Sequence, residues 1–221
     1  MVATPIGNLE DVTARAVRVL SEVGAIAAED TRVTSRLLAR HAIRKPLISY
    51  RAPVERRGLP RVMAALEHGD VALVSDAGSP TLSDPGQALV EAAWEAGHTV
   101  VPIPGPSAIT AALSVAGYGG PGFTFLGYLP RKPGEMRRLV ASLADEPRPA
   151  VAFDSPYRVR KSLALIAETL PARHVTLARE LTKLHEQVLR GTAAEVASAL
   201  GDNVRGEITL VVSGVRKKAR A

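Results

Sequence analysis

Two short stretches hold the residue types that chemistry needs. In "EDTR" (29–32), two carboxylates stand beside a hydroxyl and a guanidinium. A carboxylate can take a proton from a hydroxyl, and an arginine can hold a phosphate or set a carboxylate's direction. The same residues also suit a helix start, because Asp30 and Thr31 are good N-caps. In "SDAGSPTLSDPG" (75–86), aspartates, serines, prolines and glycines fill nearly every position. Prolines stiffen such a loop and glycines let its backbone approach a ligand closely. Asp76 is expected on the ligand side, and Asp84 is expected to cap the following helix.

Two further stretches share that chemistry, "TPIGN" (4–8) and "PGPSA" (104–108). Each of the four follows a segment that reads as a strand. Strands are predicted at 2–4, 25–28, 47–50, 71–75 and 99–103. They alternate with amphipathic helices at 11–23, 31–41, 59–68, 86–96 and 107–117. Such alternation predicts a mainly parallel sheet with helices on both faces, whose ligands bind beyond the carboxyl ends of the strands. Taken singly, each loop is a turn or a cap. Four of them at one end of a sheet predict a binding crevice.

"GYGGPG" (117–122) fits the G-x-G-x-x-G expression but follows a helix and precedes a strand, so it is read as a linker and not a nucleotide loop. Beyond it, strands are predicted at 123–129, 150–153, 175–179, 186–190 and 207–213, with helices at 135–144, 157–169 and 192–200. "EQVLRG" and "EITLVVSG" are expected to pair antiparallel, giving a mixed sheet. The fold class is therefore α/β, with two domains in series. The first spans 1–116, the linker 117–122, the second 123–215, and a basic tail 216–221.

Composition narrows the function. The 221 residues include no cysteine, which excludes disulfides and thiolate chemistry. The five histidines form no HxxxH or HExxH pair, so no metal is expected. No phosphate-binding GxxxxGK[ST] and no GxSxG elbow is present. No membrane span or signal peptide is read, and a cytoplasmic location is expected. Lys and Arg number 28 against 22 Asp and Glu, a net charge of +6. The basic residues cluster, notably in "RLLARHAIRK" (36–45), "RAPVERRGLPR" (51–61), "RKPGEMRR" (131–138) and "RKKAR" (216–220). A polyanionic partner, nucleic acid above all, is one reading; solvated helix faces are the other.

The motifs "ATPIGNLEDVTARA", "AAEDTRVTSRLL", "LVSDAGSPTLSDPG", "PIPGPSAITAAL", "FLGYLPRK", "FDSPYRV", "ARELTKLHEQVLRGT" and "GEITLVVSG" occur in order along nearly the whole chain. Together they resemble the bacterial 16S ribosomal RNA 2′-O-ribose cytidine methyltransferases, a branch of the tetrapyrrole-methylase superfamily. Two segments depart from the pattern. Fewer apolar residues precede "ATPIGN" than in relatives, and "YRAPVERRGLP" (50–60) replaces a segment usually rich in His and Asn.

The resemblance implies a tetrapyrrole-methylase-like fold, S-adenosylmethionine between two domains, a homodimer, and a decoding-centre cytidine of 16S rRNA in the small ribosomal subunit as substrate. Carried over by position, the implied cofactor contacts are Ile6, Asp76, Gly78, Ser79, Ser107 and Ala108. From the second domain they are Phe153, Ala178 and Thr209, many acting through backbone atoms. For proton removal from the ribose, loop position makes Asp30 the first candidate and Glu29 the second, with Arg32 as phosphate or orienting partner. The competing expectations are a tetrapyrrole or precorrin methylase of the same fold, and a non-catalytic ribosome-assembly factor that binds RNA.

Overall fold

The computed structural model describes residues 1–52, 55–118 and 120–215. It divides into two units, Met1–Ser107 and Ala108–Ala221. Among the described residues, no helix is long and apolar enough to cross a membrane.

The first unit is built on three parallel strands, β1 (Ala25–Ala28), β2 (Leu47–Ser49) and β3 (Val71–Val74), in the order β2-β1-β3. All of "AIAA" is buried, as a central parallel strand covered on both faces must be. Helices α1 (Ala14–Glu22) and α2 (Thr31–Arg40) cover one face through Ala16, Leu20, Leu37 and Leu38. Helices α3 (Glu55–Leu66) and α4 (Gln87–Glu95) cover the other, where Val62 and Leu89 pack with Ala27, Ile48 and Leu73.

The strands expected at 2–4 and 99–103 are reduced to single bridges. Val2 pairs with Ile103 in parallel and Thr4 with Gly78 in antiparallel fashion. Two prolines, Pro102 and Pro104, flank Ile103 and cannot donate to a ladder. Helix α3 starts earlier than 59, so that Pro60 lies inside it. Asp84 is not the cap of α4: the N-cap is Gly86, at φ 133, with no side-chain cap bond.

The second unit opens with α5 (Ala108–Ala116), which precedes a five-stranded sheet. The strands are β4 (Thr124–Tyr128), β5 (Ala150–Asp154), β6 (His174–Arg179), β7 (Gln187–Thr192) and β8 (Ile208–Val212), ordered β4-β5-β8-β6-β7. The sheet is mixed, but β7 and β8 are not partners as expected. β6 lies between them, antiparallel to both. One face carries α5 through Ile109, Ala112 and Ala116 against Val151, Ala178 and Val211. The other carries α6 (Pro133–Ser142), α7 (Val159–Thr169) and α8 (Ala193–Ala199).

The expected domain boundary and the observed division differ by α5, whose apolar side packs within the second unit. Segment 117–122 accordingly joins α5 to β4 inside that unit. Residue 119 and the basic tail 216–221 lie outside the described residues.

Candidate functional site

In the first unit, the three Gly- and Pro-rich loops and the "EDTR" segment meet at the carboxyl ends of the strands. Thr4 and Gly78 exchange two backbone hydrogen bonds of 2.9 Å, and the buried Thr4 hydroxyl donates to the Ser75 carbonyl at 3.1 Å. Gly78 has φ +75, a backbone shape that favours glycine, and a Cβ there would stand 3.5 Å from Ile6 and 3.8 Å from the Pro106 carbonyl. At Gly105 a Cβ would come within 2.9 Å of the Ala3 Cβ. Absent side chains therefore let three loops pack backbone to backbone.

The fourth loop is tied in by carboxylates. Glu29 follows β1 directly, half-buried, and its Oε2 accepts from the Asp76 amide at 3.3 Å. Asp76 Oδ1 accepts from the Asp30 amide at 2.9 Å. The loops after β1 and β3 are thus clamped reciprocally.

Asp30 has other duties. It is the N-cap of α2, its Oδ1 accepting from the Arg32 amide at 2.8 Å. Its carboxylate also pairs side-on with the Arg32 guanidinium, Nη2 to Oδ2 at 2.5 Å. Those bonds hold the Asp30 carboxyl well below the usual carboxylate range. Glu29 moves the opposite way: burial, then the nearby Asp76 and Asp30 charges, raise its pKa against the lowering effect of the Asp76 amide. The two adjacent acids are electrostatically different. Asp30 stays ionised and engaged; Glu29 is the better proton acceptor.

Around this pair, Ile6 is buried, Ser79 and Ser107 are half-buried, and Asp76 is exposed. A cavity of about 280 Å³ lies elsewhere in the unit, at the amino-terminal end of β3 between Met1, Val71 and Val101. It includes none of these residues.

The second unit aligns its three predicted residues. Phe153 pairs with Thr209 across β5 and β8, and Thr209 with Ala178 across β8 and β6. Directly opposed residues share a face, so the three form one transverse row on the α5 side of the sheet. Ala178 and Thr209 are buried at 1% and 4%, and Phe153 is half-buried. The neighbours of Phe153 lie in the motif "FLGYLPRK" but are not among the expected cofactor contacts. Its ring meets Phe125 edge-on at a centroid distance of 5.2 Å and Tyr128 at 5.4 Å. A register shift between Phe125 and Tyr128, with Gly127 at φ 66, lets residues three apart in one strand reach the same ring.

Tyr118 was also missed. Its hydroxyl lies 3.1 Å from that of the fully buried Thr176, and Arg190 stacks over its ring at 5.1 Å while donating to the Ala116 carbonyl. Among the described residues, no group of three or more His, Cys, Asp or Glu is placed to hold a metal ion.

The family model for Tetrapyrrole (Corrin/Porphyrin) Methylases matches residues 1–197. The chain is 46% identical over 216 residues to ribosomal RNA small subunit methyltransferase I of Thermotoga maritima, covering 97% of each chain. It is 47% identical to the protein of that name from Neisseria meningitidis serogroup B, over 96% of this chain and 74% of that one. Against the Bacillus subtilis protein of that name the identity is 41%, with coverage of 97% and 74%. Among solved structures, it is similar in fold to a uroporphyrin-III-C-methyltransferase from Thermus thermophilus (TM-score 0.67, 21% identity, 96% and 92% coverage). It is also similar to a diphthine synthase (TM-score 0.70, 12% identity, 96% and 88% coverage).

Proposed function

The chain belongs to the tetrapyrrole methylase family, and within it we propose that it methylates the ribose 2′-oxygen of a decoding-centre cytidine in 16S rRNA. It is an S-adenosylmethionine-dependent methyltransferase. Identity above 40% over nearly the whole chain to small-subunit rRNA methyltransferases carries the choice of RNA over a tetrapyrrole.

The first-unit loops suit the cofactor's chemistry. S-adenosylmethionine bears two positive centres and a carboxylate, and the loop ends present the exposed Asp76 carboxylate, apolar Ile6 and closely approaching backbone at Gly78 and Gly105. Asp76, Gly78, Ser79, Ile6 and Ser107 would hold it in the first unit; Ala108, Phe153, Ala178 and Thr209 are contacts that the resemblance alone implies. When bound, it supplies a methyl group that the sulfonium already makes electrophilic.

The protein's own work is alignment and one proton. Holding the 2′-oxygen in line with that methyl supplies up to about 7–11 kcal/mol of the barrier reduction. Glu29 accepts the 2′-hydroxyl proton on its carboxylate, a contribution of ~10²–10⁴-fold. The Asp76 amide fixes Glu29 Oε2, which leaves Oε1 for the hydroxyl. Asp30 holds Arg32 so that its exposed guanidinium faces a phosphate. The resemblance supports a cytoplasmic homodimer acting on the small subunit.

Methyl transfer from radiolabelled S-adenosylmethionine to small subunits, naked 16S rRNA and a porphyrinoid tests the reading. Label at an RNA 2′-oxygen is the expected result. Label in the macrocycle, or none, overturns it.

A further inference from the structure

One stretch of this chain carries six basic residues and no acid. Residues 31–54 carry Arg32, Arg36, Arg40, Arg44, Lys45 and Arg51, with no Asp or Glu among them. Since the whole chain carries +6, Lys and Arg elsewhere are matched in number by Asp and Glu. Within this stretch the charge is of one sign, and it begins beside Glu29 and Asp30.

Helix α2 gives that field a geometry. Arg32, Arg36 and Arg40 recur every fourth residue, so they stand in a row on one helix face, about 6 Å apart along the axis. All three are exposed, while Thr34, Leu37 and Leu38 are buried and seat the helix. Arg32 is held by Asp30. Among the described residues, Arg36 and Arg40 have no carboxylate partner. Like charges at this spacing repel and weaken a helix, so the row is better satisfied by an anion laid along it. Because α2 starts two residues after Glu29, the row leads away from the reacting carboxylate in steps comparable to successive phosphates of a single strand.

Resting on the rRNA reading above, we propose that α2 is the track for the RNA strand flanking the target nucleotide. Arg32 takes the phosphate nearest the reacting ribose, and Arg36 and Arg40 take the next ones along the strand.

Direct binding of naked 16S rRNA across a salt series tests this, with S-adenosylmethionine affinity as the measure of an intact fold. The double variant R36Q/R40Q should lower the slope of log affinity against log salt by about 1.4, at ~0.7 per single-strand phosphate contact. The variant R137Q/R138Q removes the same charge from exposed positions of α6 and should leave the slope unchanged. Equal slopes for R36Q/R40Q and the parent protein, or an equal loss in R137Q/R138Q, overturn the track; the former would point to an acidic protein as the partner of the row. A slope that falls as expected, with no methyl group reaching RNA, would keep the track and overturn the activity instead.

Discussion

The backbone amide of Asp76 donates to Oε2 of Glu29 at 3.3 Å, joining the ends of two neighbouring strands 47 residues apart in sequence. This single bond orients the one acid in the "EDTR" segment whose carboxyl is pushed upward and left with a free oxygen.

Glu29→Gln is expected to lower the single-turnover methylation rate by ~10²–10⁴-fold while S-adenosylmethionine affinity holds. In the parent protein the rate should fall as pH drops through the raised Glu29 pKa, and this limb should vanish in the variant. The sign for stability is opposite. A carboxyl whose folded pKa lies above its unfolded value favours folding when protonated, and that advantage is lost as pH rises through the folded value. Glu29→Gln should therefore be slightly more stable than the parent at neutral pH, read as a higher unfolding midpoint.

Asp30→Asn is expected to keep α2 capped, because asparagine caps as well as aspartate. It loses the charge that holds Arg32, so KM for RNA should rise several-fold while the single-turnover rate at saturating RNA changes little. A rate loss matching that of Glu29→Gln would return the base role to Asp30.

Arg158→Met is expected to destabilise the second unit by about 3 kcal/mol in urea unfolding. Arg158 bonds Asp154 Oδ1 at 3.0 Å and the carbonyls of Leu129 and Pro130 at 3.1 and 3.2 Å. The Asp154 side chain has no exposure, so removal of its partner leaves a buried charge. A loss below about 1 kcal/mol would show that water reaches Asp154.

Ser83→Gly is expected to raise stability by about 1 kcal/mol, since Ser83 sits at φ 69, in the left-handed region that side chains disfavour. Thr81, at φ 74, shares the strain within the same loop. Unchanged stability in urea would mean that the loop relaxes at no cost.

Much of this molecule was legible from the chain alone. Short apolar runs such as "AIAA" and "VALV", set between helical patterns and turn residues, read as buried strands, and the alternation of strands and helices points to α/β layering. The Gly, Pro and Asp loops were recognisable because tight turns and close backbone approach admit few residue types. The family followed from eight motifs in order, which local composition alone cannot imitate.

Only the tertiary structure decided the rest. The place of β6 between β7 and β8 depends on which strand edges meet, and a hydrophobic pattern does not encode its partner. The same holds for the row Phe153–Thr209–Ala178, set by register across three strands distant in sequence. Most clearly, Glu29 and Asp30 are neighbours of like charge in the sequence, which offers Asp30 as a helix cap but does not show which acid has the higher proton affinity. The fold does so, because α2 starts at Asp30 and brings Arg32 onto its carboxylate, while β1 ends at Glu29 and leaves it half-buried against the Asp76 amide. A carboxyl's proton affinity depends on its burial and its partners, and both come from three-dimensional packing.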